Sequence, residues 1–162
     1  MSEEGYDPAL GRVASGIYIL TVGTGEQATG MLASWVMQAG FEPPMVSVAV
    51  KKGRYVQQWL TEGQTFALNI VAEKQFDMLK HFGSGFDIGE PAFEGINVDT
   101  EVGEVPVLTD CLGHLQCEAT AHADSGDHRI FIAKVLRGSL HAEAEATGTQ
   151  PMTHIRKTGS HY

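Results

Sequence analysis

Short runs of apolar residues, separated by turn-forming residues, follow one another along most of the chain. The runs are rich in β-branched and aromatic residues, which is typical of strands. The segments Gly23–Glu26 and Pro43-Pro44 between them indicate turns. The pattern predicts strands over residues 16–22, 28–38, 45–50, 65–71, 112–122 and 128–140, and a short strand near 96–98. Strands therefore dominate the predicted structure.

Helical spacing is confined to a few short segments. Apolar residues three and four positions apart predict helices over residues 54–60 and 73–82. A short helix is also predicted near the start, with Asp7 as its N-cap and Pro8 in the first helical position.

Three connections between these elements differ in character. Residues 83–106 are rich in glycine and predict a long ordered loop, of a kind that is more often functional than idle. Residues 125–127 predict a tight turn between the last two long strands. Residues 142–149 carry little structural signal and predict a surface connection.

The predicted strands are apolar on both faces. In the strand over 128–136, Ile130 and Ile132 alternate with Phe131 and Ala133, so neither face is polar. A sheet with one solvated face alternates apolar with polar residues, and the helices are too few for a doubly wound α/β fold. We therefore expect a mostly β fold: a closed antiparallel barrel covered outside by a few short helices and by a second copy of the chain. The chain is accordingly predicted to form a homodimer with a large apolar interface.

Composition narrows the choice of partners. The 162 residues predict a single domain over 1–162. The net charge of −9 makes nucleic acid and an anionic membrane poor partners. No run approaches the roughly 20 apolar residues of a membrane-spanning helix, and the first residues lack the pattern of a signal peptide. We expect a cytoplasmic protein.

A strand edge with small side chains lies at Gly30, Ala33 and Ser34, beside the large flat side chain of Trp35. Small side chains let a planar ring approach the main-chain amides, which can hydrogen-bond to its polar atoms. An ordinary hairpin strand at a narrow part of the barrel is the alternative interpretation.

Three cations, Lys51, Lys52 and Arg54, follow within four positions of an otherwise acidic chain. Clustered cations favour a phosphate group. Together with the bare strand edge they predict a flat ring that carries a phosphate tail, which we interpret as a flavin site. A solvated turn is the alternative.

Two further segments carry candidate binding residues. Gly83 lets the main chain close over a ligand and Ser84 can donate a hydrogen bond, although a helix C-cap followed by a turn explains the same residues. His128 follows Gly126-Asp127, and its imidazole can stack, donate a hydrogen bond and change charge near neutral pH. A histidine that merely ends a hairpin is the alternative there.

Cys111, His114 and Cys117 are spaced like metal ligands on one helix face. They fall in or beside a predicted strand, where alternation separates His114 from the two thiols, and a structural zinc site needs a fourth ligand. We favour the alternative in which both thiols are small core residues, and we predict no metal site.

The order of several segments resembles a known family, over nearly the whole chain from about Leu10. The segments are, in sequence, ASGIYILTVG, GMLASWVMQAGFEPPMVSVAVKKGR, FALNIV, HFGSGF, PVLTDCLGHLQCEA and GDHRIFIAKV. They resemble the flavin reductase-like, FMN-binding split-barrel family. GMLASWV and GDH are most similar to the reductase domain that ends some flavodiiron proteins, which here would stand alone.

The resemblance implies a Greek-key split barrel that binds FMN at the interface of a homodimer and uses NADH or NADPH as electron donor. It implies His128 as the catalytic residue near flavin and nicotinamide. It further implies a basic tail at Arg156-Lys157, with Tyr162 covering the pocket or the partner subunit. The cofactor-binding residues it implies are Met31, Leu32, Ala33, Ser34, Trp35, Val50, Lys51, Arg54, Tyr55, Phe82, Gly83, Ser84 and His128.

Two departures from the family pattern concern the phosphate. Relatives often carry Ser or Thr soon after the basic turn, where this chain has Tyr55 and Val56. Relatives also often continue Ser-Gly-Arg where this chain has Phe86 after Gly85. More of the phosphate binding is therefore expected from Lys51 and Arg54.

The predicted function is that of an NAD(P)H:flavin reductase, which transfers hydride from nicotinamide to flavin N5 for delivery to oxygen, a monooxygenase, a diiron partner or another acceptor. The alternative is an FMN-binding electron-transfer or sensor module without its own nicotinamide activity. A more distant alternative is a split barrel related to pyridoxamine-phosphate oxidases or to haem proteins.

Overall fold

The chain is built mostly from antiparallel strands, as the computed structural model shows for residues 5–100 and 105–162. The strands are β1 (Ser15–Gly16), β2 (Tyr18–Val22), β3 (Thr29–Ala33), β4 (Val36–Gly40), β5 (Met45–Lys51), β6 (Phe66–Ile70), β7 (Val98–Asp99), β8 (Val107–Leu108), β9 (Gly113–Ser125), β10 (His128–Leu140) and β11 (Thr153–His154). The helices are α1 (Tyr6–Gly11), α2 (Tyr55–Thr61), α3 (Phe76–Phe82) and α4 (Ala142–Thr147). The predicted mostly β fold is confirmed.

Seven of the strands form one antiparallel sheet in the order β3-β2-β6-β9-β10-β5-β4. Its two edge strands, β3 and β4, are consecutive in the chain, with only Ser34 and Trp35 between them. The sheet must therefore curl until its edges come close, and the Trp35 carbonyl accepts a hydrogen bond from the Ala49 N–H of β5 at 3.0 Å. Within the described residues β3 and β4 form no ladder with each other, so the closed barrel stays a prediction.

Two apolar clusters lie on opposite faces of the sheet, and alternate residues of β2 enter each of them. Leu20 and Val22 enter the larger cluster, together with buried residues of β5 and of α2. Ile17, just before β2, and Ile19 enter the smaller cluster with Met78 and Phe82 of α3. The sequence predicts that helices cover part of the second apolar face. Helix α3 covers part of that face, because Met78 and Phe82 pack against it.

The predicted strand over 28–38 is divided in two. Residues 29–33 form β3 and pair with β2, whereas 36–40 form β4 and pair with β5. The chain changes partner strands at Ser34-Trp35, which a hydrophobic pattern that continues through this point does not reveal.

Asp7 is not the N-cap of the first helix, contrary to the prediction. Helix α1 begins at Tyr6 and its N-cap is Gly5, so Asp7 lies within the first turn. Its carboxylate accepts hydrogen bonds from Thr158 and Ser160, each at 2.5 Å. The hydrogen bonds from Ser160 and then Thr158 lower the pKa of Asp7. The ionised form that makes these contacts is therefore complete above the ordinary carboxyl pKa and is lost as the pH falls through the lowered value.

Residues 142–147 form helix α4, where the sequence analysis expected an irregular connection. The segment Ala-Glu-Ala-Glu-Ala-Thr consists mostly of strong helix formers. It ends at Gly148, whose φ of +68° suits a helix C-terminus. The short strands β8 and β11 were also not predicted, because two residues carry no periodic signal.

A buried polar network joins the sheet to the end of the long loop. The Asn69 side-chain amide donates to the Ile19 carbonyl at 2.9 Å and to Thr21 Oγ1 at 3.1 Å. Its side-chain oxygen accepts the Leu108 N–H at 2.9 Å, and Thr21 Oγ1 donates to the Pro106 carbonyl at 2.6 Å. These bonds satisfy main-chain groups that water cannot reach, and so they fix residues 106–108 against β2 and β6.

None of the helices within the described residues has both the length and the apolar character needed to cross a lipid bilayer.

We predict that Asn69→Ala lowers the free energy of unfolding by about 1–3 kcal/mol, because the Leu108 N–H and the Ile19 carbonyl lose a buried partner. Urea unfolding followed by circular dichroism measures the change. Gln57→Ala is the control, since Gln57 makes an exposed side-chain hydrogen bond to Thr61 and its removal should change stability by about 0.5 kcal/mol or less. Equal losses in the two variants would contradict the role assigned to Asn69.

Candidate functional site

A cleft lies beside the β3–β4 junction, against the end of β5. Its cavity has a volume of about 110 Å³. The wall is supplied by three parts of the chain that are distant in sequence: the junction itself, the end of β5 with the following turn, and the start of the long loop after α3. The lining residues are Met31, Leu32, Ala33, Ser34, Trp35, Ala49, Lys51, Arg54, Gly83 and Tyr162.

Close packing of α3 on β3 places the loop at this wall. A Cβ added to Gly30 would lie 2.7 Å from Phe82 Cε1, so only glycine allows the buried Phe82 ring to rest on the strand. Phe82 ends α3, and Gly83 and Ser84 follow it directly. Gly30 thus allows α3 to pack closely on β3. This packing brings the loop that begins at Gly83 to the edge of the sheet that β3 forms.

Cations line the other end of the cleft. Lys51 ends β5, and Arg54 follows a turn in which Gly53 has a φ of +89°. Within the described residues, neither Lys51 nor Arg54 forms an ion pair, although the charge of Lys51 helps to lower the pKa of Asp127. The intervening Lys52, in contrast, lies 3.5 Å from Asp124. Two cations that border the cleft are therefore left available to an anion.

A second cleft, of about 410 Å³, continues from the first past Arg54. A Cβ added to Gly85 would lie 2.9 Å from Arg54 Nη1, so the guanidinium rests against bare main chain. The Tyr55 hydroxyl ties this wall together, with Thr29 Oγ1 at 3.0 Å and the Phe86 carbonyl at 2.5 Å. Ser84 lines the same cleft.

His128 lies next to Lys51, on the neighbouring strand β10. The two residues are directly opposite in the β5–β10 ladder, on the face turned away from the buried Val46, Val48 and Val50. His128 is buried, and its ring centroid lies 4.6 Å from that of Trp35.

Hydrogen bonds fix the His128 ring at both nitrogens. Nδ1 lies 2.7 Å from Asp127 Oδ1, and Nε2 is bonded to the Tyr162 hydroxyl. The hydrogen bond from His128, and next its charge, lower the pKa of Asp127. In the uncharged tautomer that carries its proton on Nδ1 and donates it to this carboxylate, Nε2 is a hydrogen-bond acceptor.

The C-terminal segment contacts Trp35 at the border of the first cleft. The guanidinium carbon of Arg156 lies 5.3 Å from the centre of the Trp35 ring, and the Tyr162 ring centroid is also 5.3 Å from Trp35. This segment and His128 enclose a third cleft of about 440 Å³, which shares Trp35, Lys51 and Tyr162 with the first.

The structure brings together most of the binding residues that the sequence predicts. Eight of them line the first cleft, Tyr55 and Ser84 line the second, and His128 lines the third. Val50 and Phe82 differ, because both side chains are fully buried in the two apolar clusters. Their side chains support the walls, and a direct contact with a ligand is left to main-chain atoms.

Three residues at the site were missed as binding candidates. Ala49 lies two positions before Lys51, and the alternation of β5 would have placed it on the same face. Asp127 is predicted only as part of a turn, although a carboxylate next to a histidine in sequence can be its hydrogen-bond partner. Arg156 was noted for its charge alone, since its contact with Trp35 joins distant parts of the sequence and leaves no local pattern.

Cys111 and Cys117 lie buried in the two apolar clusters as free thiols. Burial raises the pKa of each thiol to about 12. Both are small core residues, as favoured above. Among residues 5–100 and 105–162, no three or more His, Cys, Asp or Glu side chains are grouped closely enough to hold a metal ion.

The chain is similar in sequence to known proteins over nearly its whole length. A family model described as "Flavin reductase like domain" matches residues 10–159. Among curated proteins, diflavin flavoprotein A 1 of Synechocystis sp. is 39% identical over 157 residues, which are 96% of this chain and 27% of that protein. A putative diflavin flavoprotein A 1 of Thermosynechococcus vestitus is 36% identical over 157 residues, with the same coverage. The chain thus spans about a quarter of the length of these relatives.

Solved structures include proteins of similar fold and length. The NADH:FAD oxidoreductase SgcE6 of Streptomyces globisporus matches with a TM-score of 0.80 and 25% identity, covering 91% of this chain and 85% of that one. The styrene monooxygenase flavin reductase SMOB of Pseudomonas putida S12 matches with a TM-score of 0.76 and 26% identity, covering 91% and 90%.

Proposed function

The chain belongs to the flavin reductase-like domain family, and on that premise we propose that it is an NAD(P)H:flavin reductase that binds FMN in the cleft beside the β3–β4 junction. A bound flavin accepts hydride from nicotinamide at its N5 atom. The reduced flavin then passes electrons on to oxygen, a monooxygenase or another acceptor. The observation that carries the proposal is the edge strand β3 with Lys51 and Arg54 in the same cleft, two cations that form no ion pair within the described part of the chain.

The residues present fit a flat ring with a phosphate tail. Within the described residues β3 is an edge strand that pairs with β2 alone, and its outer main-chain groups can hydrogen-bond to the polar edge of a ring. Lys51 and Arg54 supply the charge for the phosphate. The Arg54 guanidinium packs against the bare main chain at Gly85, where a side chain would collide with it, so glycine at this position allows Arg54 to stay at this end of the cleft.

Charge beyond Arg54 supports FMN as the flavin. The second cleft is also lined by Asp87 and Glu90, and the Asp87 N–H donates to Glu90 Oε2 at 3.2 Å, which holds that carboxylate in the wall. A second phosphate carried past Arg54 would face these carboxylates, and like charges repel. FAD, which is named for the similar protein SgcE6, therefore fits this wall less well.

His128 is proposed to orient the electron donor. Asp127 holds the ring through Nδ1, and Nε2 is turned towards Tyr162 at the border of the cleft. An acceptor at this position can receive a carboxamide N–H, which holds the nicotinamide ring in place. Hydride transfer between two stacked rings needs alignment more than acid or base catalysis, so His128 acts by positioning.

A second candidate function is an FMN-binding electron-transfer module without nicotinamide activity. It is favoured by the place of Tyr162, which stands beside His128 and narrows the first cleft. The diflavin flavoproteins also span far more than this chain, so in them the equivalent domain has other parts of the same protein as possible electron partners. A diiron partner, a cytoplasmic location and a single domain over 1–162 stay predictions.

We expect the purified protein, supplied with FMN under anaerobic conditions, to lose its visible flavin absorbance within seconds of adding NADH or NADPH. Stopped-flow absorbance measures the rate and the preferred donor. Bound flavin that neither donor bleaches would favour the second candidate function. A protein that binds no flavin would contradict both.

Arg54→Ala is expected to weaken FMN binding about 10- to 100-fold, because one charge-assisted contact with the phosphate is lost. Quenching of flavin fluorescence gives the dissociation constants of FMN and of riboflavin, which lacks the phosphate. Riboflavin binding should change little.

Lys52→Ala removes a neighbouring cation that is engaged with Asp124, and it is the matched control. Its FMN affinity should stay within about twofold of the original protein, which is less than 0.5 kcal/mol. An equal loss of riboflavin and FMN affinity in Arg54→Ala would show that Arg54 shapes the cleft and does not bind phosphate.

We also propose a homodimer formed through the outer face of β4, β5 and β10. Large apolar side chains are uncovered there, with Met37 69% and Phe41 90% exposed. Ile130 lies opposite Ala49 on the outward side of the ladder, and both border a cleft of about 640 Å³. An apolar surface that continues to the candidate site is typical of an obligate interface.

Met37→Glu is expected to convert a dimer into a monomer, because the interface would have to bury an unpaired carboxylate. Sedimentation velocity at micromolar concentration measures the change. Phe76→Glu is the matched control, since Phe76 is similarly exposed at 65% but lies on α3. A monomer for the unaltered protein would contradict the proposed dimer.

A further inference from the structure

The segment 155–162, here called the strap, crosses from α1 to the candidate site. Its root is held by α1: the Arg156 N–H donates to the Gly11 carbonyl at 2.8 Å, and the Gly159 N–H donates to the Asp7 carbonyl at 2.8 Å. The Asp7 carboxylate accepts from Thr158 and Ser160. The root therefore has a fixed place on the fold.

The tip of the strap is held differently. Tyr162 is 70% exposed, and its contacts are the hydrogen bond to His128 Nε2 and a tilted ring contact with Trp35 at 5.3 Å. Burial, and next the charge of Asp127, raise the pKa of Tyr162. The hydroxyl is thus protonated at neutral pH and donates to the histidine.

Tyr162 stands between two clefts. It lines both the cleft of about 110 Å³ and the cleft of about 440 Å³ on the His128 side. Ligand pockets usually have volumes of roughly 300–1,000 Å³, so the first cleft is small for two stacked rings while the Tyr162 ring is in place. Rotation of one side chain at the end of an anchored segment would join the two spaces.

We propose that Tyr162 occupies the place of the donor's nicotinamide ring and must leave it before the donor can bind. This inference rests on the proposed reductase function. Tyr162 presents a flat ring to Trp35 and a hydrogen-bond donor to His128 Nε2, and a nicotinamide presents a flat ring and a carboxamide N–H. One set of partners serves both rings, so the two compete.

Competition of this kind lowers the apparent affinity for the donor by the fraction of molecules in which Tyr162 has left. Flavin binding is affected less, because the hydrogen bond and ring contact of Tyr162 go to His128 and Trp35, whereas the flavin phosphate is assigned to Lys51 and Arg54. The strap therefore changes the donor concentration needed for binding. His128 and Trp35 align the donor once it is bound.

Tyr162→Ala is expected to lower the KM for the preferred nicotinamide donor roughly fivefold, about the value of one hydrogen bond, with kcat and the FMN dissociation constant within twofold of the original protein. Tyr162→Phe keeps the ring and loses the hydroxyl, and its KM should fall by less. Calorimetric titration with NAD⁺, which cannot donate hydride, should show the same order of affinities. Ile155→Ala, on the exposed part of the strap away from these contacts, is the control and should leave all three values unchanged.

An unchanged or raised KM in Tyr162→Ala, or a lost kcat, would overturn the proposal, since Tyr162 would then be inert or would assist the donor. Failure of the proposed function has a different signature, in which the unaltered protein binds FMN but neither donor reduces it. In that case, reduction that appears only in Tyr162→Ala would support the competition, and a variant that stays inactive and binds NAD⁺ no more tightly would overturn it.

Discussion

The two-residue link between β3 and β4 is the constraint on which the candidate site depends. These strands are the opposite edges of a seven-stranded sheet, and Ser34-Trp35 is too short to let them lie apart. The hydrogen bond from the Ala49 N–H to the Trp35 carbonyl fixes the junction against β5. The strand edge, Lys51 and, through the β5–β10 ladder, His128 are thereby brought to one place.

Positive charge is concentrated around this junction, although the protein as a whole is acidic. The chain has a net charge of −9, which disfavours phosphorylated ligands over most of the surface. Lys52 forms an ion pair with Asp124, so Lys51 and Arg54 are the cations that line the cleft. At physiological salt, charges farther apart than about 8 Å are largely screened, so a bound phosphate would respond to these two cations more than to the distant acidic groups.

Much of the fold could be predicted from the sequence because strand periodicity is local. The strands around Val46–Val50 and Phe131 are rich in β-branched and aromatic residues, and the turn at Gly126-Asp127 has the residues that tight hairpins need. The break at Ser34-Trp35 could not be predicted, since the apolar pattern runs through it while the partner strand changes. The contacts of Asp7 with the strap join residues about 150 positions apart, and such a contact leaves no periodic signal.

The site itself was predictable to a similar degree and for a related reason. Residues that act through type and spacing, such as the small side chains of β3 and the cations after β5, were identified. Val50 and Phe82 were predicted to bind the cofactor, but their side chains are buried in the apolar clusters, and this direction depends on tertiary packing. Ala49 carries no chemistry of its own, and its place in the wall follows only from the register of β5.

The surroundings of Trp35 give the molecule a built-in optical reporter. The sequence holds two tryptophans, and Trp59 packs edge-on against Tyr55, with ring centroids 5.1 Å apart. Trp35 alone of the two is in contact with a histidine, an arginine and the Tyr162 ring. Its emission therefore senses the polarity and quenching groups of the first cleft directly, whereas Trp59 is in contact with the second cleft through Tyr55.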